Sequence, residues 1–450
     1  MHRPSHRVLL LLLSSALACA LSSEGADEGT EASGSSSGGG DSLAETVMDA
    51  DGSSDDGPAA DESSTGATAQ CGDGVVDDLE ECEPGDPDAP CTRDCRLRTR
   101  ERWATAVDGR VYNAVGVDAS GHVYAAGFIP ARFDDDLIVD AYGPQGELLW
   151  SYTRDSGEFD DEVATDLAVM PSGEVTVVGI AHLHSFAFSE TVELVKLDGT
   201  RGSITDVRIL PKLADHSVPE RARVAAAPDG AMVVTYNESG QGSLAGLNYV
   251  FYDAAGDWLR HELRDDDRSI VTDVDAGPNG EYAMLHWYDE PPLGGFVPQV
   301  ELFDATGTLL AVEPLVAEGG YALGDAGGVA IAPDGTLRIP ARSNVVALDD
   351  ELSNAWSVRF HETNSYWTSS ARVAEGGAMV FAGVNVGAET SFMAAVSGSG
   401  ETEWFVPLPD AGMRAIDLRG EQAAVVGQSV DDDALHTWIR AFDVRFDQVR

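Results

Sequence analysis

One short unit recurs from Val115 to the C-terminal region: an alternating strand, a turn closed by glycine, and a second alternating strand. This recurrence restricts the fold more than any other feature. Its copies begin VGVDASGHVYAAG at Val115, LAVMPSGEVTVVG at Leu167, VAAAPDGAMVVTY at Val224 and VDAGPNGEYAMLH at Val274. They continue as VAIAPDGTLRIPA at Val329, VAEGGAMVFAG at Val373 and IDLRGEQAAVVG at Ile416. The turn glycines are Gly121, Gly173, Gly230, Gly280, Gly335, Gly377 and Gly420, with separations from 42 (Gly335 to Gly377) to 57 (Gly173 to Gly230). Each step has room for four short antiparallel strands and their loops, the size of one propeller blade.

A second pattern, offset from the first, supplies the remaining strands. LIVDAYGPQGELLWSY from Leu137, YVFYDAAGDWLRH from Tyr249 and VELFDATGTLLAV from Val300 have period two and glycine-bearing turns, so they read as hairpins. The fold class predicted is all-β: a seven-bladed β-propeller of four-stranded antiparallel blades. Six or eight blades, or a β-sandwich array, are the alternatives left open by the spacing. In the last unit HTWIRAFD, from His436, leaves too little chain for a fourth strand. Arg102 to Val107 looks like an orphan fourth strand, with Trp103 placed as Trp150, Trp356 and Trp404 are in theirs. Pairing the two ends closes the ring and removes its exposed edges.

The segment before the repeats has a different character. His2, Arg3, His6 and Arg7 precede the apolar run Val8 to Leu13 and the small residues up to Ala18, the layout of a signal peptide over 1–18. Ala16-Leu17-Ala18-Cys19 resembles a bacterial lipobox, which implies lipid on Cys19 and a bilayer contact through that residue alone. In the other reading Cys19 leaves with the signal peptide. Residues 19–70 are Ser, Gly, Ala, Thr, Asp and Glu with almost no large apolar side chain, so an acidic disordered linker is expected there.

Residues 71–95 hold Cys71, Cys82, Cys91 and Cys95. Four cysteines in so short a segment imply two disulfides, with three pairings open. Zinc on four thiolates is the rival reading. Cys71-Gly72-Asp73-Gly74, Glu81-Cys82, Gly85, Cys91 and Cys95 together resemble the short cysteine-rich repeat of myxobacterial secreted and surface proteins, which implies export. Asp73, Asp77, Asp78 and Glu80 are weak calcium candidates beside solvent-facing acids. The propeller occupies 101–450, and Val117-Asp118-Ala119-Ser120-Gly121-His122-Val123-Tyr124 is similar to the propeller repeats of bacterial surface proteins.

With 28 Lys and Arg against 77 Asp and Glu, the formal net charge is −49, which excludes nucleic acid as a natural partner. No complete catalytic or cofactor motif is present. His261-Glu262 and His361-Glu362 lack the second histidine of a zinc-protease motif, and His182 with His184 has no evident third ligand. Catalytic residues are therefore unassigned.

In a propeller the short glycine turns share one face, while the loops joining strands two to three and blade to blade share the other, where functional loops concentrate. That loop face is predicted to carry Asp134, Asp135, Asp136, Asp160, Asp161, Glu162, Asp265, Asp266, Asp267, Asp431, Asp432 and Asp433. The aromatics Trp287, Tyr288, Tyr366 and Trp367 join them. Acids and aromatics on one face suit a cationic ligand, calcium or a carbohydrate, and equally suit plain solvation and packing between blades. The expectation is an envelope-associated binding or scaffolding lipoprotein, at the outer membrane or cell surface, with an envelope protein or glycan as partner. A periplasmic or secreted location is the alternative. A propeller hydrolase or lyase acting on a surface polysaccharide, and a purely structural lipoprotein, are the rival functions. No cofactor is required, with calcium the one candidate.

Overall fold

The computed structural model describes Cys82, Cys91, Thr92 and residues 97–446, apart from 132–133, 156, 158–160, 184–188, 212–217, 240–245, 265–268, 291–294, 316–325, 362–365, 387–389, 409–411 and 432–433. Seven four-stranded antiparallel sheets form the blades of a propeller. After an opening strand β1 (Thr99–Val107), blade 1 is β2 (Val111–Val117), β3 (Val123–Pro130), β4 (Asp135–Tyr142) and β5 (Leu148–Arg154). Blade 2 follows as β6 (Asp161–Val169), β7 (Glu174–Leu183), β8 (Ser189–Asp198) and β9 (Ile204–Ile209). Blade 3 comprises β10 (Val218–Ala226), β11 (Met232–Ser239), β12 (Gly246–Tyr252) and β13 (Trp258–Arg264). Blade 4 comprises β14 (Ile270–Ala276), β15 (Tyr282–Glu290), β16 (Gly295–Phe303) and β17 (Leu309–Pro314). Blade 5 is the shortest, with β18 (Ala330–Ile331), β19 (Leu337–Ala341), β20 (Asn344–Leu348) and β21 (Asn354–Arg359). Blade 6 is β22 (Tyr366–Val373), β23 (Met379–Asn385), β24 (Thr390–Val396) and β25 (Thr402–Leu408). Blade 7 is β26 (Met413–Arg419), β27 (Gln422–Asp431) and β28 (Ala434–Val444), completed by β1.

Closure works as the orphan strand suggests: β1 pairs antiparallel with β28 from Thr99 opposite Val444 to Val107 opposite Thr437. The first strand of every blade lies innermost and meets the first strands of its two neighbours, which closes the ring through β2 and β26. Third strands are buried on both faces, as LIVDAY in β4 illustrates, and so read as near-continuous apolar runs. Fourth strands such as β5 and β21 alternate exposed and half-buried positions, because one face meets solvent at the rim.

The recurrent Asp-x-x-Gly sequence has a local explanation. In the first copy, Asp118 accepts hydrogen bonds on Oδ1 from the amides of Ser120 (2.8 Å) and His122 (2.9 Å), while Gly121 takes φ of 81°. The aspartate satisfies amides that the turn leaves free, and glycine occupies the left-handed position at no steric cost.

Of the cysteine segment, Cys82 and Cys91 form a disulfide with a Cα–Cα distance of 5.8 Å. Arg98 ties this piece to the ring, donating through Nε to the Cys91 carbonyl (3.0 Å) and through Nη1 to Glu403 (3.2 Å). Cys19, Cys71, Cys95, Asp73, Asp77, Asp78 and Glu80 lie outside the described residues.

Trp103, the large apolar residue of the closing strand, is buried and lies flush against Gly146 in the β4–β5 turn of blade 1. Trp103→Ala is expected to lower stability by about 3–5 kcal/mol, the range for emptying a buried tryptophan site. Equilibrium urea unfolding checks this, and an unchanged midpoint would contradict the role of β1 as the clasp.

Candidate functional site

Two clusters of charge stand out, one on each face of the ring. On the loop face, Asp134 ends the β3–β4 loop and Asp135 and Asp136 open β4, beside the blade 1 to blade 2 connection, which carries Asp155 and leads to Asp161. Carboxylate oxygens of Asp134, Asp136 and Asp155 lie within 4.8 Å of one another. The loops are held in register by the Asp135 amide, which donates to Asp161 Oδ1 at 3.0 Å, and by the Gly157 amide, which donates to Asp155 Oδ1 at 2.9 Å. Burial, then the charge of Asp161, pushes the Asp135 carboxyl up to about 6. Burial, then the charges of Asp155 and Asp134, raises Asp136. Three converging carboxylates are a hard-oxygen donor set of the kind that suits a divalent cation such as calcium. Asp155 was not singled out in the sequence, because its partners come from a different loop.

The other expected loop-face residues divide. Asp161 begins β6 and is half-buried, whereas its neighbour Glu162 points inward and is 1% exposed, as strand alternation requires. Glu162 is thus not an accessible acid. Tyr366, expected as an exposed aromatic, is buried and packs edge-on against Phe392 and Phe405, with Phe360 also in contact. Trp287, Tyr288 and Trp367 are half-buried near the loop-face ends of β15 and β22. Asp160, Asp265, Asp266, Asp267, Asp432, Asp433 and His184 lie outside the described residues, as do the side chains of His182 and Asp431.

The second cluster lies on the ring axis and opens on the opposite, short-turn face. There a cavity of about 200 Å³ is walled by Val117, Val169, Ala226, Ala276, Ile331, Val373 and Leu418, and is charged at Asp275, Arg372, Asp417 and Arg419. Asp166, Arg223 and Asp273 follow toward the loop face. Every one of these aspartates reaches from its own inner strand to an amide of the next blade. Asp166 accepts from Val224 N (3.0 Å), Asp273 from Val329 N (3.1 Å), Asp275 from Ile331 N (2.8 Å) and Asp417 from Val117 N (2.8 Å). Arg223 returns the favour with donors to the carbonyls of Thr272 (2.9 Å) and Thr165 (3.1 Å), in blades 4 and 2.

Arg372 is the cation among these acids, donating through Nε to Asp417 Oδ1 at 3.2 Å, with Nη1 3.8 Å from Asp273 Oδ2. Burial opposes its charge, yet Asp273, Asp417, Asp275 and Asp166 together raise its pKa. Burial raises Asp166, Asp275 and Asp417 against the pull of the arginines. Burial also carries Asp273 from 3.8 to about 7, with Arg372 lowering it and Asp166 adding to the rise. The sequence did hold a signal for this cluster: VATDLAV, VTDVDAG, SARVAEG and AIDLRG each carry a charge inside an otherwise apolar inner strand.

No protein-family model and no curated protein matches the chain. Among solved structures, the chain is similar to a catalytically inactive virginiamycin B lyase from Staphylococcus aureus with quinupristin, at 13% identity over 75% of this chain and 98% of that one, TM-score 0.47. It is also similar to the alpha-L-arabinofuranosidase of Fusarium graminearum with arabinobiose, at 13% identity over 67% and 99% of the two chains, TM-score 0.48. At such identities and TM-scores the likeness carries no conclusion about this chain.

Asp273 binds its proton more tightly in the folded protein than in the unfolded chain, so the folded state holds an extra proton between about pH 4 and about pH 7. Its contribution to stability is therefore present at the acid end and falls as pH rises through that window. Asp273→Asn is expected to flatten this fall, measured as the difference in urea midpoint between about pH 4.5 and about pH 7.5. An undiminished difference in the variant would assign the pH dependence to other groups.

Proposed function

We propose that this chain is an exported, envelope-associated recognition module whose propeller loop face docks a protein or glycan partner with a bound calcium ion. The observation that carries this reading is the convergence of Asp134 and Asp136, at the start of β4, with Asp155 of the blade 1 to blade 2 connection. Acids that served only to solvate the loops gain nothing from meeting, since each raises the energy of the others. A bound divalent cation turns that repulsion into attraction and fixes the two loops together.

Export is supported by the Cys82–Cys91 disulfide, since such bonds persist in oxidising compartments. Lipid on Cys19, an outer-membrane or surface location and kinship with the myxobacterial cysteine-rich repeat belong to the same reading. The acidic stretch 19–70 then acts as the spacer between bilayer and propeller.

A hydrolase or lyase acting on a surface polysaccharide is the second reading. It is favoured by the axial carboxylates, where Asp273 at about 7 falls in the range useful to a general acid. Against it stands their use: Asp166, Asp273, Asp275 and Asp417 are each bonded to the backbone of a neighbouring blade.

Calcium at millimolar concentration, where extracellular calcium modules work, is expected to raise the melting temperature of the full chain. Asp134→Asn combined with Asp136→Asn should abolish that rise, and without calcium should leave stability equal or slightly higher, because repulsion is relieved. Protons compete for the same carboxylates, and burial with the charges of Asp155 and Asp134 raises Asp136, so the calcium response should weaken as the pH is lowered. A melting temperature indifferent to calcium at pH 7.5, read alongside isothermal titration with calcium chloride, would remove the ion from the reading.

A further inference from the structure

One inter-blade junction departs from the construction of the rest. In blades 1, 5, 6 and 7 the fourth strand places a tryptophan opposite an alanine of the third: Trp150 opposite Ala141, Trp356 opposite Ala347, Trp404 opposite Ala395 and Trp103 opposite Ala441. The small alanine lets the indole lean onto the next blade. Trp103, Trp150 and Trp356 lie flush against the turn glycines Gly146, Gly202 and Gly400, and Trp404 is buried beside Phe442 and Val444. Blade 3 fills the corresponding space with Phe251 against Gly307, and the junction of blades 4 and 5 is filled by Leu302 and Leu352.

Between blades 2 and 3 the plug is missing. Asp206 stands where the tryptophan would be, and Lys196 stands where the alanine would be. A slot of about 410 Å³ remains, within the size range of small-molecule sites, and Glu174, Lys196, Thr205, Asp206 and Arg208 line it. The turn glycine, Gly256, is present as at four of the filled junctions, yet it faces Lys196 Nζ, 3.3 Å from where a Cβ would sit, in place of an aromatic ring.

The polar groups are built into one another. Lys196, 9% exposed, lies with Nζ 3.1 Å from Glu174 Oε1, and Thr205 donates to Glu174 Oε2 at 2.8 Å. Arg208 donates through Nε to Asp206 Oδ2 at 2.6 Å and through Nη1 to the Gly256 carbonyl, with its guanidinium over the Tyr252 ring. Lys196 and Arg208 pair one for one with Glu174 and Asp206, while the third carboxylate of the lining, Asp229, is exposed and accepts from the Ala231 amide. A ligand of net charge would leave one of these half-buried groups uncompensated, which is costly. A neutral ring with several hydroxyls would not, because paired ions still offer N–H donors and carboxylate lone pairs around their rims.

We propose that this slot is a saccharide subsite, taking one neutral pyranose ring where the other junctions hold an indole. The flat C–H face of the sugar lies along Met170 and Pro171, and its hydroxyls bond to Glu174, Lys196, Asp206 and Arg208. The site opens on the short-turn face, so it stands independently of the calcium-bearing loop face.

Saturation-transfer NMR on the full chain tests this with methyl β-glucopyranoside, methyl β-galactopyranoside and N-acetylglucosamine, and with acetate and methylammonium as charged controls. At least one glycoside should show transfer and neither control should. The double variant Lys196→Ala with Asp206→Trp rebuilds the plug found in four other blades; it should melt at or above the parent temperature and show no transfer. Glu174→Gln leaves the slot open and should weaken binding about tenfold through loss of a charge-assisted hydrogen bond. Silence from every glycoside, transfer confined to a charged control, or binding undiminished in either variant would overturn the proposal.

Discussion

The pairing of β1 with β28 is the constraint on which everything else depends. A blade of four strands buries its faces only against the next blade, so a row of seven would leave two faces and two edges open to water. By lending its first strand to the last blade, the chain turns the row into a ring, in which every inner strand has two neighbours. The axial aspartates then act as inter-blade ties, because each can reach an amide of the following blade only when that blade is fixed beside it.

Much of this is legible in the sequence. Glycine turns 42 to 57 residues apart mark the seven units, and the Trp103 motif ahead of the first of them shows how the ends meet. These features are local: turn chemistry and strand alternation act over a few residues, so a single sequence displays them. The loop-face acids were visible as runs, but their convergence was not, since Asp155 reaches Asp134 and Asp136 only through the fold. Glu162 and Tyr366 show the limit of reading loops by composition. Each lies on the inward phase of a strand that begins earlier than its sequence suggests, so burial decides its role.

The axial charges and the slot between blades 2 and 3 were hidden for a different reason. Both depend on positions compared across blades, where the informative event is a departure from the repeat. Asp166, Arg223, Asp273, Asp275, Arg372 and Asp417 interrupt apolar stretches of the inner strands, and they face a shared axis only after closure. Fourth strands 1, 5, 6 and 7 carry tryptophan, and Asp206 in blade 2 is informative because of what stands at the equivalent positions elsewhere.

Closure by a borrowed strand also sets how the ring meets mechanical load. Residues preceding Thr99 enter the propeller directly through β1, and Arg98 anchors that entry to Glu403 of blade 6 and to the Cys91 carbonyl. A pull applied from upstream therefore falls on the clasp itself, where the ladder from Thr99 to Val107 and the seated Trp103 must yield before any other blade is strained. The strand that completes the wheel is also its mechanical fuse, and tension would open the ring at the junction of blades 7 and 1 while the remaining six blades stay folded.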